Sequence, residues 1–182
     1  GDLRAQVVQR FASLEDLEAA SLTLEEREEY EPHLRQGQVV FSGVDYEQVL
    51  AAAEQEADVI QWEGGNNDLP FFVPDLHVVV CDPLRPGHEL RYHPGEANLR
   101  MADVVVINKV STARREHVEA VRRNVAAVNP RARIVEVDSV LAVDRPDLLR
   151  GRRALVVEDG PTTTHGGMGY GAGYIAARAY GA

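Results

Sequence analysis

The chain has 182 residues, 45% of them hydrophobic and 26% charged, with a formal net charge of −10 and a pI near 5.0. That is enough apolar side chain to bury a substantial core, and it excludes a disordered composition. The acidic balance disfavours a nucleic-acid-binding surface, which a polyanion would approach against long-range repulsion.

Two acidic helices are predicted first. Ser13-Leu14-Glu15-Asp16-Leu17-Glu18 and Thr23-Leu24-Glu25-Glu26-Arg27-Glu28-Glu29 each open on a hydroxyl residue with Glu in the first turn, a helix-start signature, and their acidic density reads as a solvated face. Six short apolar, β-branched runs follow, each bounded by turn formers: Val39 to Phe41, Val59 to Trp62, Leu76 to Cys81, Val104 to Ile107, Ile134 to Val137 and Ala154 to Val157. Several are apolar at consecutive positions, as in strands buried on both faces of a parallel sheet. Helical patterns lie between them at Tyr46 to Glu56, Glu96 to Ala102 and Thr112 to Val128, the last with Val118, Val121, Val125 and Val128 at helical spacing. The alternation predicts a parallel α/β sheet with crossover helices. No repeat or low-complexity linker marks a boundary, so residues 1–182 read as one domain. A start at Gly1-Asp2-Leu3 and an end at Ala182, after a Gly- and Ala-rich helix pattern, suggest a piece of a longer protein. The one cysteine, Cys81, excludes a disulfide framework, and neither a signal peptide nor an apolar run of about 18 residues is present, so a cytoplasmic location away from membranes is expected.

Ligands of an open parallel sheet bind at the carboxyl ends of its strands, so the loops after the strands carry the chemistry. Trp62 is followed by Glu63-Gly64-Gly65-Asn66-Asn67-Asp68. A carboxylate and two glycines there have the build of a segment that holds Mg²⁺ and lets a backbone N–H approach a phosphate; the bland alternative is a turn with a solvated Glu. Cys81 is followed by a stretch gathering Arg85, His88, Arg91 and His93 beside Asp82 and Glu89, suited to an anionic substrate because Arg binds carboxylate and phosphate bidentately. A metal site from Cys81, Asp82, His88 and His93 matches no zinc spacing, and a mixed-charge surface loop is the plain reading. Ile107 is followed by Asn108-Lys109-Val110-Ser111, three-quarters of the Asn-Lys-x-Asp base-recognition motif of GTPases. Ser111 replaces the Asp whose carboxylate would accept two guanine N–H donors, which favours ATP over GTP. Val157 is followed by Glu158-Asp159-Gly160-Pro161-Thr162-Thr163-Thr164-His165-Gly166-Gly167-Met168-Gly169, where free backbone N–H groups and hydroxyls could cradle an anion, or form a glycine hinge. Gly167-Met168-Gly169 with Ala172 also mimics a degenerate dinucleotide fingerprint. No Gly-x-x-x-x-Gly-Lys-Ser/Thr loop occurs.

Taken together, Trp62 to Asp68, Asp82-Pro83 through His93-Pro94-Gly95-Glu96, Asn108-Lys109-Val110, and Glu158 to Thr162 through His165-Gly166-Gly167 resemble the cyclic 2,3-diphosphoglycerate synthetase family, whose members are often described as predicted GTPases. The resemblance implies a P-loop NTPase-like (SIMIBI-type) three-layer α/β/α domain lacking its N-terminal phosphate-binding strand-loop-helix. It also implies ATP and Mg²⁺, and phosphoryl transfer that closes an intramolecular phosphoanhydride on 2,3-diphosphoglycerate. Carried over, it places Glu63 and Asp82 at the metal and γ-phosphate, Gly64 and Gly65 at the nucleotide, and Asn108 and Lys109 at the base. Arg85 and His88 would take part in the chemistry, and Arg91, His93, Thr162, His165, Gly166 and Gly167 would hold an anionic phosphorylated small molecule. Pairing of two copies across the nucleotide suits this class. The alternatives are a GTPase or ATPase switch of regulatory or metallochaperone type acting on a protein partner, and a dinucleotide-binding module.

Overall fold

The structure, a computed structural model, describes residues 4, 6–65, 68–158, 163 and 167–182. It contains two compact units, Gly1–Pro74 and Asp75–Ala182.

The first unit holds β1 (Gln9–Phe11), α1 (Leu14–Ala19), α2 (Leu24–Arg35), β2 (Val40–Ser42) and α3 (Tyr46–Ala53). Both predicted helix starts are capping boxes. Ser13 Oγ accepts from the Asp16 N–H at 3.2 Å while Asp16 accepts from the Ser13 N–H at 2.9 Å, and Thr23 and Glu26 repeat the exchange at 3.2 and 2.8 Å. Each cap contributes about 1 kcal/mol to a helix whose composition is otherwise solvated. The apolar residues left over form a small core of Phe11, Leu17 and Leu34, with Tyr30 and Val40 against it. The run at Val39 to Phe41 is a strand, but it pairs antiparallel with Gln9–Phe11 and not within a parallel sheet. The run at Val59 to Trp62 is not a strand: it has no ladder partner among the described residues and Val59 is exposed. Its aromatic end packs sideways instead, Trp62 edge-on to Phe71, which stacks on Tyr46 with ring centres 4.6 Å apart.

The second unit holds β3 (Val78–Cys81), α4 (Gly95–Met101), β4 (Val104–Ile107), α5 (Arg115–Val128), β5 (Arg133–Glu136) and α6 (Ala172–Tyr180). The three strands are parallel in the order β3-β4-β5, with Cys81 opposite Ile107 and Ile107 opposite Glu136. This is the expected α/β architecture. Side chains alternate across a strand, so Cys81, Val105 and Ile107 share one face, and there Leu99 of α4 and Val118, Val121 and Val125 of α5 complete the core. Asn129, at the end of α5, is buried and donates to the carbonyls of Leu99 (3.0 Å) and Ala102 (2.8 Å), tying α5 to the end of α4.

The run at Ala154 to Val157 is not a strand either; Leu155 is 91% exposed. The chain beyond it returns as α6, whose first turn is closed by Glu158 Oε1 accepting from the N–H groups of Gly171 (3.2 Å) and Tyr174 (2.9 Å). Both runs have a local pattern suited to β structure, but strands need a neighbour to satisfy their backbone groups, and neither has one among the described residues. No helix among the described residues is long and apolar enough to cross a membrane.

Candidate functional site

Because β3 and β4 pair in parallel and in register, the chain leaves both strands side by side at their carboxyl ends. Asp82 therefore emerges next to Asn108 and Lys109, with the Asn108 N–H donating to the Cys81 carbonyl at 3.1 Å. Lys109 takes a left-handed backbone conformation (φ 60°), unusual for a side chain of its size, and this turns the chain out of the sheet. Its Nζ lies 3.0 Å from Asp82 Oδ2. The same oxygen accepts from Arg85 Nη2 at 3.3 Å, and Asp82 Oδ1 accepts from the Leu84 N–H at 3.0 Å.

Burial is the largest single influence on Asp82 and pushes its pKa up. The bonds from Lys109 and the Leu84 N–H, with the charges of Lys109 and Arg85, together outweigh it and hold the carboxyl below its ordinary range. Arg85 Nε is buried with no hydrogen-bond partner among the described residues. The corner thus holds two cations bridged by one carboxylate, with a guanidinium N–H still to be satisfied, a donor set that suits an anionic ligand.

Two residues that the sequence reading passed over belong to this corner. The β4–β5 ladder continues past the strands, the Val137 N–H donating to the Ile107 carbonyl (3.0 Å) and the Val110 N–H to the Val137 carbonyl (3.3 Å). That brings Ser139 to Asn108, whose Nδ2 donates to Ser139 Oγ at 2.8 Å, and Asp138 to Ser111, whose N–H donates to Asp138 Oδ1 at 2.7 Å. The signal was available: they follow the Ile134 to Val137 run just as Asn108 follows Val104 to Ile107.

The remaining candidates divide. His88 is exposed and sits edge-on to Tyr92, while its neighbour Glu89 is turned inward, accepting from the Gly87 N–H at 2.8 Å and from Asn124 Nδ2 at 2.6 Å. Arg91 and His93 are exposed on the same segment. Glu63, Gly64 and Gly65 belong to the first unit, where Glu63 is exposed 3.3 Å from His33 Nε2, Gly64 lies against the Trp62 indole, and the Gly65 N–H donates to Asp68 at 2.9 Å. Gly167 has φ +70°, a conformation that favours glycine, whereas Thr162, His165 and Gly166 lie outside the described residues. No group of three or more His, Cys, Asp or Glu side chains among the described residues could hold a metal. Cys81 is buried and has its thiol pushed up to about 12, first by burial and then by Glu89 and Asp82.

Over all 182 residues the chain is 61% identical to arginine synthetase ArcE of Thermococcus kodakarensis, and it spans 41% of that protein's length. No protein-family profile matches it, and no solved structure does. The full-length match overturns the resemblance to cyclic 2,3-diphosphoglycerate synthetase, and with it the expected closure of a phosphoanhydride. Nor does it favour a regulatory switch or a metallochaperone. The motifs behind that resemblance describe how strand ends and Arg-rich loops meet anions, and such chemistry does not specify which product is made.

Proposed function

We propose that this chain is the ligand-handling part of an enzyme that forms arginine by ligation, driven by ATP with Mg²⁺. The reading is carried by the 61% identity over all 182 residues. Its geometric support is the Asp82, Arg85, Lys109 corner at the carboxyl edge of the parallel sheet. A P-loop-type three-layer α/β/α domain is the fold we assign to it, of which a sheet with helices on one face is the part described.

Bound ATP supplies a phosphoryl group that turns a poor oxygen leaving group into a good one. The residues of this chain supply position and charge. Asn108, oriented by Ser139, offers its amide to the base edge, and the Lys109 stem lines the base face. The Lys109 ammonium and the Arg85 guanidinium, held together by Asp82, take the anionic groups, with Arg85 Nε as the unsatisfied donor. Asp82 is the carboxylate of this corner that would hold Mg²⁺, with phosphate oxygens and water completing its shell, and the metal would supply charge neutralisation at the phosphates. His88, Arg91 and His93, with Thr162, His165, Gly166 and Gly167, are the proposed contacts to substrate.

The test replaces the matched stretch of the Thermococcus protein with this chain and measures ATP-dependent arginine formation by amino-acid analysis. We expect the chimera to make arginine, and Lys109→Ala or Arg85→Ala to lower kcat/KM at least about tenfold, equivalent to about 1.4 kcal/mol of transition-state stabilisation. A folded chimera that hydrolyses ATP without forming arginine, beside a parent that forms it, overturns the reading.

A further inference from the structure

The turn that follows β4 carries hydrogen-bonding groups that can be accounted for one by one. Lys109 enters the left-handed region (φ 60°), and its carbonyl then accepts from the N–H groups of Thr112 (3.2 Å) and Ala113 (3.1 Å) and from Thr112 Oγ1 (3.1 Å). The backbone bonds that join Ile107 and Val110 to Val137 hold the segment after β5 against this turn. Asn108, Ser111, Asp138 and Ser139 are therefore brought together by backbone geometry.

Asn108 Oδ1 accepts from the Lys109 N–H at 2.7 Å and from Ser139 Oγ at 3.1 Å, which occupies both of its lone pairs. Asn108 Nδ2 gives one hydrogen to Ser139 Oγ at 2.8 Å and keeps the other. Asp138 is exposed; its Oδ1 accepts from the Ser111 N–H at 2.7 Å, and its Oδ2 has no hydrogen-bond partner among the described residues. Lys109 and Arg85 pair with Asp82, and neither pairs with Asp138. What the turn offers a ligand is thus one N–H donor, from Asn108, beside one charged acceptor, from Asp138.

Resting on the proposal that Asn108 meets the base of the nucleotide, we infer that Asp138 is the residue that selects adenine, its Oδ2 accepting from the exocyclic amino group while the free Asn108 N–H donates to the neighbouring ring nitrogen. Adenine presents this pair, an amino N–H beside N7, on an edge where guanine carries two acceptors and would set a carbonyl against the carboxylate. Guanine's other edge has N–H donors side by side and suits a carboxylate with both oxygens open, yet Asp138 Oδ1 is held by Ser111. The Asn108 carbonyl, which could otherwise accept from the adenine amino group, is already engaged, so that task falls to Asp138.

The test uses the chimera in which this chain replaces the matched stretch of the Thermococcus relative, with binding of nucleotides in the presence of Mg²⁺ followed by isothermal titration calorimetry. ATP is compared with purine riboside triphosphate, which has hydrogen in place of the amino group, and with GTP. We expect the native chimera to bind ATP at least about tenfold more tightly than either, the discrimination that one charged hydrogen bond confers. Asp138→Ala should weaken ATP alone and bring it to within about twofold of purine riboside triphosphate. Asp138→Asn keeps an oxygen for the Ser111 N–H while turning an N–H donor toward the base, and it should give the same loss without disturbing the turn. Equal affinity for ATP and purine riboside triphosphate in the native chimera, or a preference that survives both substitutions, overturns the inference and leaves the arginine-forming reading standing. An equal loss for both triphosphates on substitution makes Asp138 merely structural and also overturns it, as does a preference for GTP that Asp138→Ala abolishes. If the folded chimera binds no triphosphate while its parent binds ATP, the nucleotide-binding reading falls and the inference with it.

Discussion

Asp82→Asn tests the charge corner directly. In the native protein one carboxylate serves Lys109 Nζ (3.0 Å), Arg85 Nη2 (3.3 Å) and the Leu84 N–H (3.0 Å). The amide keeps the shape and one acceptor but turns N–H donors toward two cations. Hydrogen bonds to charged groups contribute about 1.5–3 kcal/mol when buried, and exposed ion pairs about 0.2–1 kcal/mol. With side-chain exposures of 16% for Asp82, 29% for Arg85 and 32% for Lys109, the site lies between these limits. We therefore expect a loss near 1.5 kcal/mol in urea unfolding at about pH 7. A cycle with Lys109→Ala should assign roughly 1 kcal/mol of it to the pair. The pH dependence has a definite sign. The folded-state pKa of Asp82 is lowered, so the carboxylate's contribution is complete above its unfolded value of about 3.9 and disappears as pH falls through the lower folded value. The gap between the native chain and the variant should accordingly close in the acid range below about pH 4. A gap under about 0.5 kcal/mol at neutral pH, or one that persists at acid pH, refutes the assignment of Asp82 as the clamp between the two cations.

Other outcomes follow from the packing. Leu99 is fully buried between α4, α5 and the sheet, so Leu99→Ala should destabilise the second unit by about 2–5 kcal/mol in denaturant titration, and a loss below about 1 kcal/mol would show that the core there collapses freely. Glu158→Ala removes the acceptor for the Gly171 and Tyr174 N–H groups, and about 1 kcal/mol of helix stability should be lost, read as reduced helical circular dichroism on heating; an unchanged melting curve would mean the cap is idle. The thiol of Cys81, pushed up to about 12, should resist alkylation in the folded chain and react within minutes in denaturant, and prompt alkylation of the native protein would contradict its burial.

What was legible in the sequence was whatever depends on near neighbours. Ser13 and Thr23 announce their helices because a cap is a bond between residues three apart, and Val118, Val121 and Val125 announce α5 because its buried stripe is periodic. Asp82 and Asn108 could be placed together because the ends of two adjacent parallel strands must lie side by side. The failures share one cause. Ala154 to Val157 and Val59 to Trp62 have strand composition, but a strand is a relation between segments, and composition cannot say whether the partner is present. Asp138 and Ser139 were missed for a related reason: their link to Ser111 and Asn108 spans 27 and 31 residues and exists only through the β4–β5 register. Ser111 looked like the loss of a carboxylate from a base-recognition motif, yet the fold brings Asp138 to within hydrogen-bond distance of that residue's own N–H.

The net charge of −10 sets a second constraint on any anion that this protein binds. At physiological ionic strength the field of distant carboxylates is screened beyond about 8 Å, so the local balance at the corner decides. On the half-buried carboxylate bridge itself Arg85 and Lys109 exceed Asp82 by one positive charge, and Asp138, bonded to the Ser111 N–H, is the corner's second carboxylate. Without Asp82 the two cations would repel each other and turn toward water, and their side-chain freedom would have to be lost again on binding. Holding them in advance trades some attraction for readiness. It follows that Asp82→Asn and Lys109→Ala should affect anion binding differently: the first leaves the attraction and loses order, the second loses the attraction itself. Titration with inorganic pyrophosphate at two salt concentrations separates them, since only Lys109→Ala should flatten the salt dependence, and a flattening by both would place the binding cation elsewhere.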